Sequence, residues 1–450
     1  MATPRGSVFV NQHKDFFISK LCKSRNGKIM GVINLTELKP GMVLAEELRD
    51  RNGRFLLAKG TKLTLKHLRI LKIWGVIEVN IEGISQKNVE SNTGAQIDPA
   101  VMEAAEKEIS ERFVHTDLDH PATRELFRIC TLRKAEELDI TNSEAKLEHH
   151  DSYERNMDAN EILEDTTTEM SPLEFIRDDI SLSTLPDIFI LIKETINDPK
   201  SSARDIAEAV SKDTNISAKL LKLVNSAFYG FPSNIDTISR AVAIVGTKHL
   251  SILIFGIYII NAFKNISWDL IDMKSFWEHS IVCGTIARIL ASHKNIQNTE
   301  RLFVAGLLHD IGRLVFYNST SINARNIILK ARNSHSLLYE IEHEIMSFDH
   351  AEIGKLILKK WKLPISLENI VKYHHYPMLS NDPLEPAIVH LSDIMTNALG
   401  MGSSGERFVP PLDQDAWTCI GLSPNILALT IKQMEHQVRE LINFLVLDER

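Results

Sequence analysis

Phe303-Val-Ala-Gly-Leu-Leu-His309-Asp310-Ile-Gly-Arg313 places a histidine and an aspartate side by side at the end of an apolar run. Apolar walls exclude water, an imidazole offers a neutral nitrogen, and a carboxylate supplies negative charge. Together these are what a buried metal site requires. A single His-Asp pair arises often by chance, so its interpretation depends on ligand-type residues elsewhere in the chain.

Length and composition limit the class of protein. The chain has 450 residues, 44% of them hydrophobic and 24% charged, which is typical of a globular protein with several domains. A formal net charge of -8 argues against nucleic-acid binding through a broad basic surface. The most apolar run, 250–262, is too short to cross a bilayer, and no signal-peptide core opens the chain. Because the cysteines are scattered without paired spacing, we expect a soluble cytoplasmic protein.

Changes of pattern along the chain predict five segments. In order, these are a flexible tail, a small α+β sensing or interaction module, a linker with a helical connector, an acidic flexible linker and a helical bundle. They correspond to residues 1–30, 31–83, 84–138, 139–170 and 171–450.

Local patterns predict the elements within these segments. In the small module we expect one helix, Thr64–Trp74, and four strands: Val32–Leu35, Val43–Ala45, Phe55–Ala58 and Val76–Ile81. The connector is expected to form two helices, because His120-Pro121 interrupts it. In the bundle, helices are predicted over Leu185–Ile196, Ala203–Val210, Ile216–Val224, Ile238–Val245, Leu250–Phe263 and Phe276–Ala291.

Several residues of metal-ligand type lie in stretches of the helical region that otherwise have a buried composition. Taken singly, a histidine on an apolar face is more often a hydrogen-bonded core residue than a ligand. A carboxylate in an apolar helix, however, is costly to bury unless a cation or a histidine accompanies it. The candidate ligands are His279, His309, Asp310, His350, His374, His375 and Asp393.

The adjacent pair His374-His375 needs a special geometry to serve one ion. Neighbouring residues on a helix point about 100° apart. The pair is followed by Tyr376-Pro377, which ends the helix and leaves convergence of the two rings open.

The order of these ligands along the chain resembles that in the HD superfamily of metal-dependent phosphohydrolases. The sequence around them is similar to one branch of that superfamily, the HDOD proteins, which are bacterial signalling proteins. The similarity covers roughly 180–400, and 31–82 is similar to small modules found beside HDOD and HD-GYP domains. The blocks that carry it are Leu182-Ser-Thr-Leu-Pro-Asp187, Val210-Ser-Lys-Asp213, Leu220-Leu-Lys-Leu-Val-Asn-Ser-Ala-Phe-Tyr-Gly230, Ile238-Ser-Arg-Ala-Val-Ala-Ile-Val-Gly246, Ala305-Gly-Leu-Leu-His-Asp-Ile-Gly312 and His350-Ala-Glu-Ile-Gly354.

The resemblance implies an HD-like helical core at about 270–400 that holds divalent metal. His279, His309, Asp310 and Asp393 would bind one ion, and His350, His374 and His375 another. Asp310 and Arg313 would be catalytic, with Arg313 contacting a phosphate. This mixed imidazole and carboxylate set suits Fe, Mn, Zn or Ni alike.

Three functions remain open at this point. HDOD domains are generally regarded as signalling modules without established hydrolysis, which favours a signalling protein with a ligand-sensing metal pocket and protein partners. An intact ligand set instead favours a phosphohydrolase acting on a nucleotide or cyclic dinucleotide, although the Gly-Tyr-Pro loop of HD-GYP enzymes is missing after His375. A helical scaffold with vestigial ligands is the third. The sequence indicates neither the output partner nor the oligomeric state.

Overall fold

The computed structural model divides the chain into two compact units, residues 1–96 and 97–450. Within them it describes residues 30–34, 38–49, 55–64, 67, 78–82, 97–144, 171–173, 191–192, 194–195, 198, 200–231, 234–263, 271–319 and 321–447. The predicted flexible tail except Met30, most of the acidic linker and most of the predicted helix Leu185–Ile196 lie outside these residues.

The described part of the first unit consists of short antiparallel strands. β1 (Met30–Asn34) pairs with β4 (Glu78–Glu82), and β2 (Leu48–Arg49) pairs with β3 (Phe55–Leu57). The predicted strand Val43–Ala45 is present only as isolated bridges. The predicted helix Thr64–Trp74 lies outside the described residues, apart from Thr64 and His67. A small apolar core is formed by Leu38, Leu44, Leu63, Val79 and Ile81.

The second unit is a bundle of helices around one apolar core, and none of its described residues forms a strand. The helices that follow 97 are α1 Pro99–Arg112, α2 Pro121–Glu144, α3 Ala203–Ser211, α4 Thr214–Asn225, α5 Ile238–Val245, α6 Thr247–Phe263, α7 Met273–His293, α8 Thr299–Leu308, α9 Ile311–Ser319, α10 Ser321–Ser334, α11 Leu338–Met346, α12 His350–Lys360, α13 Ile365–Tyr373, α14 Leu384–Leu399, α15 Gln414–Ile420 and α16 Asn425–Leu445.

Local sequence explains where several of these helices begin. Ser202 and Asp205 form a capping box at α3, in which each side chain accepts a hydrogen bond from the backbone N–H of the other residue. At the start of α4 and of α5, the side chains of Asp213 and Thr237 each accept one hydrogen bond from a backbone N–H of the first turn. These signals explain why the predicted bounds of α3, α4 and α5 agree with the structure to within about two residues.

Helix α7 is the central element of the bundle. Most of its residues are buried, and it packs against α8, α14 and α16. Such a helix, apolar on most of its faces, has to be surrounded by other helices. Within the described ranges, no helix combines the length and the apolarity needed to span a membrane.

Helices α1 and α2 share the core of the bundle. The guanidinium of Arg112 donates to the Ala398 carbonyl oxygen at 3.4 Å, near the C-terminal end of α14, and the Val409 N–H donates to the Arg112 carbonyl oxygen at 2.8 Å. Arg133 forms an ion pair with Glu435 of α16. The segment predicted as a helical connector is therefore packed against the bundle from Pro99 onward.

Candidate metal centre

The candidate ligands come from the ends and middles of several helices. His279 and Asp393 lie within α7 and α14, whereas His350 is the first residue of α12. His309 caps the end of α8, Asp310 lies between α8 and α9, and His374 caps the end of α13 with His375 next to it. All seven are at most 8% exposed to solvent.

Glycine contacts bring these helices close enough for the ligands to meet. At the crossing of α7 and α8, a Cβ on Gly306 would lie 2.6 Å from the Gly284 Cα. At the crossing of α9 and α12, a Cβ on Gly312 would collide with the His350 carbonyl group. The glycine that follows His-Asp therefore permits the close approach of Asp310 and His350.

The first cluster joins His279, His309, Asp310 and Asp393. Asp393 Oδ1 lies 3.2 Å from His279 Nε2 and 3.4 Å from His309 Nε2. Asp310 Oδ2 lies 3.7 and 3.3 Å from the same two nitrogens. Asn397 donates to Asp393 Oδ1 at 2.8 Å and orients that carboxylate.

The second cluster joins His350, His374 and His375. The Nε2 atom of His350 lies 3.3 Å from His374 Nε2, 3.0 Å from His375 Nε2 and 2.9 Å from Asp310 Oδ1. Asp310 consequently faces the first cluster with one oxygen and the second with the other.

Three of the imidazoles are held in one tautomer by their backbone and carboxylate partners. The Nδ1 atoms of His309 and His374 lie 2.7 Å from the carbonyl oxygens of Gly306 and Val371, which can only accept a hydrogen bond. The Nδ1 atom of His350 lies 2.5 Å from Glu342 Oε2. In the neutral rings the Nε2 lone pairs therefore converge. Converging lone pairs repel one another, and a bound cation removes this repulsion. In each of the sets His350, His374, His375 and His279, His309, Asp310, the ligand atoms lie within 4.8 Å of one another.

The charges around the centre are also suited to a cation. Burial favours the neutral form of Asp310, but Arg313 and the histidines outweigh it and hold the pKa well below its usual range. Hydrogen bonds from His279 and His309 do the same for the pKa of Asp393, again against burial. Glu342 is a third buried carboxylate with a lowered pKa, because His350 and Arg313 offset its burial.

The carboxylates raise the pKa of two of the candidate ligand histidines. Burial lowers the pKa of His309, yet the Asp310 carboxylate raises it well above the usual value. For His350, burial and Arg313 are outweighed by Glu342 and Asp310, which raise the pKa to about 9. Burial and neighbouring imidazoles lower the pKa of His374 and of His375. Metal binding would therefore release protons.

Arg313 is enclosed rather than presented to a cleft. It is 2% exposed and donates to Asp310 Oδ2 at 3.0 Å, Glu342 Oε1 at 3.2 Å and Ser404 Oγ at 2.6 Å. In this arrangement its guanidinium orients Asp310, and its contact with a phosphate stays a prediction.

Several residues that support the ligands were missed by the sequence reasoning. They are Tyr339, whose ring stacks on His375 with centroids 4.0 Å apart, together with Glu342 and Ser404. The Asp413 N–H donates to His390 Nε2 at 3.2 Å, so the His390 Nδ1–H donates to the His374 carbonyl oxygen at 2.8 Å. Glu342 did leave a signal, because it shares one face of α11 with Leu338 and Met346.

Comparison with known proteins identifies the domain that carries this centre. Residues 182–377 match the HDOD domain, a segment that contains every candidate ligand except Asp393. This segment of the chain is therefore similar to the HDOD domain. An uncharacterized protein of Treponema pallidum (strain Nichols) is 30% identical over 195 residues, which is 42% of this chain and 37% of that protein. The chain thus matches well under half the length of this relative.

One solved structure shares the helical fold, and a second shows a weaker similarity. An HDOD domain protein of unknown function from Geobacter sulfurreducens is 24% identical, with a TM-score of 0.51 over 61% of this chain and 96% of that chain. A Shewanella amazonensis SB2B protein named as a candidate phosphohydrolase is 22% identical, with a TM-score of 0.47 over 60% of this chain and 99% of that chain.

Proposed function

We propose that this chain is a cytoplasmic signal-transduction protein whose HDOD domain binds divalent metal and acts through ligand sensing and protein contacts. Residues 31–83 would form an α+β sensing or interaction module. The observation that carries the proposal is the convergence of the His309, His350 and His374 Nε2 lone pairs beside Asp310. A buried donor set of this kind is costly without a cation.

The enclosure of the centre favours sensing over turnover. His375 is 8% exposed and the other candidate ligands less, and Tyr339 covers the ring of His375. Arg313, the cation expected to contact a phosphate, is occupied by Asp310, Glu342 and Ser404. Such a centre is suited to a small ligand or to control by metal occupancy, read out by a signalling partner.

A phosphohydrolase acting on a nucleotide or cyclic dinucleotide is the second candidate. It is favoured by Asp310, which shares its two oxygens between the clusters, as in sites that bind two metal ions. A metal bound there would supply activation of water and stabilisation of the charge that develops at phosphorus. The protein would supply the orientation of Asp310 through Arg313.

Elemental analysis of the full chain, purified without a histidine tag, tests the metal centre. We expect stoichiometric Fe, Mn, Zn or Ni in the wild type and in Asp382→Asn, an exposed control. We expect loss of the metal in Asp310→Ala with retention of the helical circular dichroism spectrum. A wild type without stoichiometric metal would rule out both candidates.

A panel of phosphatase and phosphodiesterase substrates with added Mn²⁺ then separates them. Sensing predicts the same background rates for wild type, Asp310→Ala and Asp382→Asn. A rate that is lost only in Asp310→Ala would overturn the sensing proposal in favour of hydrolysis.

A further inference from the structure

Helix α11 contacts two of the three candidate ligands of the second cluster, His350 and His375. Tyr339 and Glu342 are three residues apart and therefore share a helical face. The Tyr339 ring stacks on His375, and Glu342, at 2% exposure, contacts His350. The helix itself contributes none of the seven candidate ligands.

Glu342 fixes His350 through two hydrogen bonds to one oxygen. Its Oε2 accepts the ring Nδ1–H at 2.5 Å and the backbone N–H at 2.9 Å. The backbone N–H belongs to the first turn of α12, where it has no carbonyl partner within the helix. The pair of bonds sets both the tautomer of the ring and its position, so that Nε2 faces Asp310 Oδ1 at 2.9 Å.

The other oxygen of Glu342 reaches the first cluster through Arg313. Oε1 accepts from Arg313 Nε at 3.2 Å, and the same guanidinium donates to Asp310 Oδ2 at 3.0 Å. Asp310 Oδ2 is the oxygen that faces His279 and His309. One carboxylate therefore acts on the second cluster through His350 and on the first through Arg313.

We propose that Glu342 is the positioning residue of the metal centre, and that its charge sets the affinity of both clusters for divalent cations. The inference rests on the proposed metal centre, whichever of the two functions that centre serves. Removal of a carboxylate that orients a metal-binding histidine typically weakens metal binding about 10- to 100-fold. If Glu342 only neutralised Arg313, its loss would leave the His350 ring and the metal affinity unchanged.

The first measurement uses metal-free full chain and does not depend on the proposed function. A proton held between His350 Nδ1 and Glu342 should give a strongly downfield resonance in ¹⁵N-histidine-labelled protein. We expect this resonance in the wild type and in Glu340→Gln, an exposed neighbour on α11. We expect it to be lost in Glu342→Gln and in His350→Gln, which assigns it. Its persistence in Glu342→Gln would overturn the inference.

The second measurement is a titration with Co²⁺, competed by a chelator and followed by visible absorption. We expect Glu342→Gln to bind Co²⁺ about 10- to 100-fold more weakly than wild type and Glu340→Gln, with an altered spectrum. Equal affinities in the three proteins would overturn the inference, whereas a wild type that binds no Co²⁺ would overturn the proposed centre itself. If Glu342→Gln does not fold, the double variant Arg313→Gln/Glu342→Gln removes both members of the ion pair. We expect this double variant to show the same loss of Co²⁺ affinity. Wild-type Co²⁺ affinity in the double variant would again overturn the inference.

Discussion

At the residue scale, Asp310 is the side chain on which the centre depends most. Its oxygens lie 3.3 Å from His309 Nε2 and 2.9 Å from His350 Nε2. A carboxylate shared in this way cannot be lost from one cluster alone. Asp393, by contrast, contacts two candidate ligands of the first cluster, His279 and His309.

We therefore expect Asp310→Asn to lose metal from both clusters and Asp393→Asn to lose it from the first cluster only. The asparagine keeps the shape of the side chain but removes the negative charge that a divalent cation requires. Metal content per chain, measured on purified protein, checks the prediction. Asp382→Asn should retain the wild-type content. An Asp310→Asn protein that keeps as much metal as Asp393→Asn would contradict it.

The sequence predicted the seven candidate ligands but not the residues that orient them. Histidines and aspartates in apolar stretches are visible in the sequence itself. Ser404, by contrast, meets Arg313 from 91 positions away and has an ordinary polar context. Only the packing of the bundle determines such a contact.

At the element scale, glycines determine how closely the ligand-bearing helices cross. Gly306 of α8 lies against the backbone of α7 around Gly284, so any side chain there would push two backbones apart. Gly256 of α6 differs, because a Cβ there would meet the tip of the Leu307 side chain at 2.9 Å.

Gly306→Ala should destabilise the bundle by about 1 to 3 kcal/mol, the usual cost of overpacking. Gly256→Ala should cost less, since a side-chain tip can move and alanine favours the helix by about 1 kcal/mol over glycine. Thermal unfolding followed by circular dichroism measures both. A Tm for Gly306→Ala equal to or above that of Gly256→Ala would argue against close backbone contact at this crossing.

The capping box of α3 gives a second prediction at this scale. Ser202→Ala removes the acceptor for the Asp205 N–H and should cost about 1 kcal/mol, so the N-terminal amides of α3 should exchange faster with solvent. Hydrogen exchange by mass spectrometry measures this, with Ser201→Ala as the control. Exchange at the same rate in both variants would show that the box contributes little.

Element prediction worked where a cap and an apolar face coincide, as in α3 and α5. It was less accurate where strand pairing determines the structure. The predicted strand Val43–Ala45, for example, forms isolated bridges instead. Strand pairing depends on partners that are distant in sequence, and these leave no local signal.

At the scale of the whole molecule, the bundle from α1 to α16 shares one apolar core that surrounds the metal centre. The packing of α1 and α2 against α14 and α16 was not predicted, since their contacts with Ala398 and Glu435 are long-range. A centre with three buried carboxylates, only two of which bond to the Arg313 guanidinium, should make the stability of this bundle depend on bound cation.

Removal of metal by a chelator should therefore lower the Tm of the wild type. A ligand present at 100 times its Kd stabilises the folded state by about 2.7 kcal/mol. The same chelator should leave the Tm of Asp310→Asn unchanged, because that variant has no metal to lose. Equal shifts in both proteins would indicate that the chelator acts elsewhere.

The candidate ligands extend along the chain from His279 to Asp393. In a polypeptide still emerging from the ribosome, the first cluster therefore lacks Asp393 until α14 has been synthesised, whereas the second cluster is complete in sequence at His375. The first cluster can offer all four of its candidate ligands to a cation only after α14 has been synthesised, so the identity of that cation depends on which metals the cell keeps available at that stage.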